Sequence, residues 1–387
     1  MSIHDISNAV EQALARAGLD TGSGAAKAVL HTIRGALESA HIAQQPPSRH
    51  ETAANDDHTV DVVARVIVDE AAPSPAYRER ATGPAGAFLR FEHSNAAGSR
   101  AYKLYVPASH GAEPMPLVVM LHGCQQDPDD FAAGTRLNRL AEEQGFLVAY
   151  PAQSLRANGS KCWHWFEPRD QSRHGAEPSI IAGIVAEIGR AYRVDERRVF
   201  VAGLSAGAAM AVILGETYPD VFCAVGAHSG LPYGAAHDVA SAFAAMHGSG
   251  VRGPVHPPAD HAPAGSRGIP TIVFHGNRDV TVVPHNGLAI AERAASKLEP
   301  DIGPLAREVH DLDAQGRRCT LTRRVDLNGV PWVEQWIVHG GGHAWSGGSA
   351  SGTFVEPQGP DASREMMRFF LLHERRDAAA ATTTAAP

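Results

Sequence analysis

Residues 199–210 read VFVAGLSAGAAM, and their reading decides the fold. Val199, Phe200 and Val201 form a short apolar run of the kind a buried strand shows. The Ala-rich run from Ala206 to about Tyr218 reads as a helix. Between them stands Gly203-Leu204-Ser205-Ala206-Gly207. A serine at the centre of Gly-x-Ser-x-Gly, between a strand and a helix, occupies a sharp, strained turn that exposes its hydroxyl. The flanking glycines leave room where the two backbones nearly touch. Ser205 then sits at the carboxyl end of the sheet, beside the positive end of the helix dipole. That makes it the candidate nucleophile.

A serine nucleophile needs a base, and the base needs an acid to orient it. After an elbow serine, the acid precedes the histidine in the chain. Residues 271–274 are an apolar strand entered from Pro270, and they run into His275-Gly276-Asn277-Arg278-Asp279. An acid a few residues past a strand end, in a Gly-containing loop, is placed to orient a histidine. Asp279 is therefore preferred to Asp311, Asp313 and Asp326, which lie in hairpin or less structured contexts. Residues 320–325 and 333–338 alternate around Asn328-Gly329 as a hairpin. His339-Gly-Gly-Gly-His343 follows. His343, on a flexible loop, fits the base better than His339, which still belongs to the strand end.

Upstream, residues 116–121 are continuously apolar, as in a strand buried on both faces. His122-Gly123-Cys124 comes next, about 80 residues before the elbow. A loop in that position supplies one oxyanion amide, and the residue after the nucleophile supplies the other. Here they are Cys124 and Ala206. His122 reads as a strand-end residue bonded to loop backbone. Residues 88–92 and 101–106, either side of a turn at 95–98, read as an antiparallel pair at the edge of a parallel sheet. Residues 131–144 and 178–192 read as helices and 146–150 as a strand, with Asp195 turning the chain into the elbow strand. Trp163 and Trp165, in a loop with three aromatics, read as lining a substrate cleft, with capping of the core edge as the alternative. Trp345 is expected at the cleft rim. Gly359-Pro360-Asp361 opens a C-terminal helix with Met366, Phe369, Phe370 and Leu372 on its apolar side.

The 387 residues suffice for one large domain with additions, and the hydrophobic content of 44% supplies its core. A net charge of −8 argues against nucleic acid as the main partner. No run approaches the ~18 apolar residues of a membrane span. Ile3, Ile6, Val10 and Leu14, then Ala26, Val29, Leu30, Ile33 and Leu37, predict an amphipathic helical hairpin over 1–43. A mostly mobile Pro-containing linker is expected over 44–86, a catalytic domain over 87–376 and a disordered tail over 377–387. The N-terminus shows no basic stretch followed by an apolar core, hence no recognisable signal peptide.

With these residues in view, the chain from about 88 to 373 resembles the poly(3-hydroxybutyrate) depolymerase-type esterases, relatives of feruloyl and acetylxylan esterases. The resemblance rests on LHGCQQ (121–126), CWHWF (162–166), GLSAGAAM (203–210), HSGLPYGAA (228–236), FHGNRDVTVVPHNG (274–287), GGGHAWSGG (340–348) and GPDASREMMRFF (359–370), in that order. It implies an α/β-hydrolase fold, a mostly parallel central sheet with helices on both faces. It places the family's nucleophile, acid and base on Ser205, Asp279 and His343. It further implies a serine esterase that acts through an acyl-enzyme on polyhydroxyalkanoate polymer or oligomers, with no metal and no cofactor. Feruloyl or acetylxylan esterase is the alternative, and a non-catalytic binding protein on the same scaffold is the reading from another class. The family implies an extracellular location, with the cytoplasm as the alternative in view of the N-terminus. The family's polymer depolymerases carry a signal peptide and a separate substrate-binding domain. Neither is recognised here, so short oligomers or other small esters are at least as expected as crystalline polymer. Cys124 and Cys162 open loops that leave the same edge of the sheet, and a disulfide between them is expected, with two buried thiols as the alternative.

Overall fold

The apolar run before His122 and the run into the elbow are both strands, and their alternate side chains go to opposite faces of one sheet. The computed structural model describes residues 86–248 and 268–375. The hairpin expected over 1–43, the linker up to residue 85 and the tail over 377–387 lie outside the described residues.

The sheet is ten-stranded. Its strands are β1 (Ala87–Asn95), β2 (Gly98–Val106), β3 (Met115–Leu121), β4 (Leu147–Pro151), β5 (Val194–Leu204), β6 (Ala224–His228), β7 (Thr271–Gly276), β8 (Ala306–Ala314), β9 (Arg317–Val325) and β10 (Pro331–Val338). They lie in the order β1-β2-β4-β3-β5-β6-β7-β10-β9-β8. From β4 to β10 the neighbours are parallel. The β1–β2 pair at one edge and the β9–β8 pair at the other are antiparallel additions. All of these strands belong to one compact unit. The segment Ser154–Lys161 falls in another unit and turns back on itself through Asn158 N–H to Ser154 O, 3.0 Å.

Each face carries its own core. Leu117, Val119, Leu121, Val199 and Val201 pack with α3 (Ala176–Ala191), α4 (Ala206–Thr217) and α6 (His285–Ile302). Val118, Met120, Phe200, Ala202 and Leu204 pack with α1 (Pro128–Thr135), α2 (Leu137–Gln144) and α7 (Ala362–Phe370). Helix α4 is buried almost all round, consistent with its apolar sequence up to Gly215. The short helix α5 (Val239–Met246) begins with a capping box on Asp238 and Ser241.

Several local expectations are corrected. The helix expected over 131–144 is two helices, broken at Arg136, whose φ of 55° ends α1. The break is held by the Arg136 guanidinium, which donates to Gly347 O at 2.5 Å and lies 3.3 Å from Asp361. Asp195 does not precede the elbow strand but lies inside β5, where it accepts from the Arg197 amide and Arg198. Leu372 falls beyond the end of α7 and is half exposed. Strand β8 has no apolar alternation to betray it; its residues are exposed except Ala314, and its pairing with β9 defines it. Among the described residues no helix is long and apolar enough to cross a membrane.

Helix α7 is held to the sheet by Phe370, whose ring stacks on Phe200 with centroids 4.8 Å apart. Beneath it Gly226 has no room for a side chain: a Cβ there would meet Phe370 at 3.0 Å and Met366 at 2.8 Å. Phe370→Ala is expected to cost about 3–5 kcal/mol in urea denaturation. A loss under ~1 kcal/mol would show that α7 does not complete this core.

Candidate active site

The elbow is a backbone collision avoided by two glycines. A Cβ at Gly203 would lie 2.5 Å from Gly207 C and 2.6 Å from Leu121 O. One at Gly207 would lie 2.1 Å from Leu121 O and 2.5 Å from His122 O. The start of α4 therefore presses on the end of β3, and Ser205 between them is forced to φ 57° and ψ −121°. A non-glycine residue in such a region costs about 1–3 kcal/mol and persists only where its surroundings over-determine it. Here the Ser205 N–H donates to His228 O at 2.9 Å and Ser205 O accepts from Ala209 N at 3.0 Å.

Asp279 and His343 are brought together. His343 Nδ1 lies 2.8 Å from Asp279 Oδ2. Their loops are stitched side by side: Asn277 N–H donates to Val338 O, Arg278 N–H to Gly341 O, and Gly340 N–H to Asn277 Oδ1. Asp279 Oδ1 accepts from the Thr281 and Val282 amides at 3.0 and 2.9 Å. His275, two strands from the elbow, packs under the same carboxylate: its Nε2 is 2.8 Å from Val282 O and 3.4 Å from Asp279 Oδ2. Burial opposes the charge of Asp279, but the bonds from His275 and His343 and the Val282 amide outweigh it and hold the carboxyl well below the usual range. His339 is occupied elsewhere, with Thr320 Oγ1 2.9 Å from Nε2 and Asn277 Nδ2 3.2 Å from Nδ1. Asp326 caps the β9–β10 turn, and Asp311 and Asp313 lie on β8.

The loop after β3 lies against the elbow, since a Cβ on Gly123 would be 3.6 Å from Ser205 Cβ. His122 is buried with both nitrogens committed: Nδ1 is 2.7 Å from Gly123 O, and Nε2 accepts from Gln153 N–H at 3.1 Å. The second bond makes Nδ1 the protonated nitrogen, so His122 donates to the carbonyl of the peptide that carries the Cys124 N–H. Gln126 Oε1 accepts from Gly123 N–H at 3.0 Å and its amide group donates to Asp130 and to Thr353 O. Cys124 is joined to Cys162 by a disulfide, Cα–Cα 4.3 Å. Ala206 opens α4, where amides lack acceptors within the helix.

Trp163 and Trp165 take the alternative reading, in the core edge, and Trp345 is buried rather than exposed at a rim. Trp163 is fully buried and donates through Nε1 to His122 O at 3.0 Å; Trp165 is 6% exposed and packs edge-on to Phe166. Trp345 is 1% exposed, donates to Ser363 Oγ, and lies between Phe131 and His228. All three brace loops from within, because each ring fits a gap in the core and each of the two buried N–H groups finds an acceptor. The 162–166 loop is anchored instead by Glu177, at the start of α3. This buried carboxylate accepts from His164 N–H at 2.7 Å, faces His164 Nδ1 at 2.9 Å, and takes a bond from Gln153, which also donates to Cys162 O. Burial opposes its charge, but His164 outweighs that and keeps Glu177 low and ionised.

One central residue has no role in the sequence reading. His228, at the end of β6, receives the Ser205 amide on its carbonyl and the Ser346 amide on Nε2 at 3.0 Å. It joins the elbow to the loop that carries His343. The one sequence signal was its place in the HSGLPYGAA segment after an apolar run. Burial, then the charges of His275 and His343, push its pKa down to about 3, so it is neutral. Among the described residues no group of three His, Cys, Asp or Glu side chains could hold a metal ion.

The parallel centre, the elbow serine after β5, and an acid and a histidine after β7 and β10 define a protein of the α/β-hydrolase class. The acetyl xylan esterase from Aspergillus awamori shares this fold: TM-score 0.52, 19% identity, covering 70% of this chain and 94% of that one. The chain belongs to the family described as Esterase PHB depolymerase, whose model matches residues 100–298. It is 34% identical over 260 residues to poly(3-hydroxyalkanoate) depolymerase C of Paucimonas lemoignei, covering 65% of this chain and 58% of that protein. It is 36% identical over 152 residues to feruloyl esterase B of Neurospora crassa, covering 38% of this chain and 50% of that one. The chain thus spans between half and three-fifths of the length of these two relatives.

His228 makes stability pH-dependent. Its folded pKa of about 3 lies below the unfolded value of about 6.5. Between these values the unfolded chain binds the extra proton, so stability present above about pH 6.5 is lost as the pH falls. Asp279, held low, stays ionised in this window. Between about pH 6.5 and pH 4.5 the wild type should lose ~2 kcal/mol more than His228→Gln, measured by urea denaturation. Equal losses would show that His228 is not buried neutral.

Proposed function

We propose that this chain is a serine esterase that hydrolyses carboxylic esters, with hydroxyalkanoate oligomers or polymer as the substrate class. The observation that carries the reading is the contact of His343 with buried Asp279, on loops leaving the same sheet edge as Ser205. His343 Nε2 takes the Ser205 proton as Oγ attacks the ester carbonyl. The Cys124 and Ala206 amides receive the negative charge that develops on the carbonyl oxygen. Asp279 fixes the tautomer with Nδ1 protonated and stabilises the imidazolium. His343 returns the proton to the departing alcohol, and water repeats the sequence on the acyl-enzyme. The chemistry requires no metal or cofactor.

An apolar ester suits the exposed side chains near these loops. Val280, next to Asp279, is 81% exposed, and Phe354, whose carbonyl accepts the Trp345 N–H, is 42% exposed. The names of the relatives favour a second reading, a feruloyl or acetylxylan esterase. The Cys124–Cys162 disulfide supports an oxidising, extracellular location. Residues 87–376 are the proposed catalytic unit, and the segments before and after it are proposed to take no part in the chemistry.

Ser205→Ala should lower esterase kcat at least ~10³-fold without changing the unfolding midpoint. His343→Ala should be nearly as harmful and the double variant little worse, since the two act as one unit. Multiplying effects would remove His343 from the role. Turnover of hydroxybutyrate oligomers set against feruloyl and acetylated xylan esters decides between the substrate readings. Reduction of the disulfide should lower kcat while sparing the fold; an unchanged rate would detach the bond from the oxyanion loop.

A further inference from the structure

Strand β8 ends the sheet with an open edge. Its residues from Ala306 to Asp313 are exposed, including Val309 at 48% and Leu312 at 38%. It contains no proline, and its nine-residue register with β9 has no bulge. Natural sheets usually blunt such an edge, because unpaired N–H and C=O groups template another strand. Here the edge carries Arg307, Asp311 and Asp313 along one strand.

The parity of the strand sets which groups are free. Gln315 and Gly316, with φ of 48° and 81°, form a two-residue turn that closes on the Ala314–Arg317 pair. A turn of this kind makes the closing pair a hydrogen-bonded one. Counting back by twos, Ala306, Glu308, His310 and Leu312 bond to β9. Arg307, Val309, Asp311 and Asp313 turn their main-chain groups outward. The far side of β9 agrees, since Arg318 O accepts from His339 N–H towards β10.

We propose that β8 is a dimerisation edge, pairing antiparallel with β8 of a second copy of this chain about a two-fold axis at His310. This register uses the whole strand and sets outward residues against outward residues, as an antiparallel ladder requires. Arg307 then faces Asp313 of the partner subunit, and Asp313 faces Arg307 of the partner subunit. Val309 of each copy lies diagonally across the axis from the other, within side-chain reach. Within one chain Arg307 is badly placed, directly opposite Arg324, whereas Asp313 lies opposite Arg318; among the described residues neither Arg307 nor Asp313 forms an ion pair. Like charges opposite one another in a sheet are unfavourable. A second copy sets an acid against Arg307 on the side away from Arg324. An unrelated strand would have no reason to carry this charge order, whereas a two-fold axis makes one sequence complementary to itself.

The test is sedimentation of the full chain across micromolar concentrations, with esterase activity and near-UV circular dichroism as controls for the fold. The wild type should dimerise. Arg307→Asp and Asp313→Arg should each raise the dimer dissociation constant at least ~10-fold, because either change sets like charges together on both sides of the axis. The double variant R307D/D313R should return to within ~3-fold of the wild type. A monomeric wild type overturns the proposal, whether the edge is bare or covered by another part of the chain. So does a dimer indifferent to both single reversals, or one that the double reversal fails to rescue.

Discussion

The backbone of α4 pressing on the backbone of β3 is the constraint on which the site depends. With Leu121 O 2.1 Å from where a Gly207 Cβ would be, no other residue type fits without moving strand or helix. That approach forces Ser205 into its strained conformation and brings the Gly123 loop against it. The strain is sustained because both partners are anchored deeply: β3 and β5 pair through their apolar cores, and α4 is buried on nearly every side. A less buried helix would tilt away and relax the serine.

Around that contact lies a layer of buried histidines used as structural connectors. His122, His228 and His275 are each within 1% of full burial, and each bonds main chain through a ring nitrogen. A neutral imidazole can accept on one nitrogen and donate on the other, so it bridges two loops where a carboxylate would bring an unwanted charge. His228 links the elbow to the loop that carries His343, His122 links the Gly123 loop to the residues after β4, and His275 supports Asp279. Two of the buried carboxylates, Asp279 and Glu177, lie beside these loops, each surrounded by donors.

What the sequence disclosed follows the range of the physics involved. The elbow was legible because its constraint is local: two glycines four residues apart around a serine, between runs of opposite periodicity. Asp279 and His343 were legible from chain order and strand ends, and the contact between them is in place. Trp163 and Trp165 were left open between cleft and core edge, and Trp345 was misplaced, because a loop aromatic reads alike whether its ring faces a cleft or fills the core; only the fold decides. The break at Arg136 depends on Gly347 and Asp361, more than two hundred residues away, and leaves no local mark. The work of His228 and Glu177 escaped for the same reason, since each joins segments that meet only in three dimensions.

The sheet also acts as a wall between two populations of sulfur. Cys124 and Cys162 pack on one face, with the core of α3 and α4; Cys223 and Cys319 lie in the core of the other face. Burial pushes the thiols of Cys223 and Cys319 up to about 12 and about 11, so at neutral pH they hold almost no thiolate. Exchange requires a thiolate to reach the bonded sulfur in line. Once the sheet has closed, neither free cysteine has the charge or the path to attack the native bond. Four cysteines allow six single pairings, and the fold holds one of them, Cys124–Cys162, with Cys223 and Cys319 free. In the folded chain the native bond is sealed against the chain's own thiols.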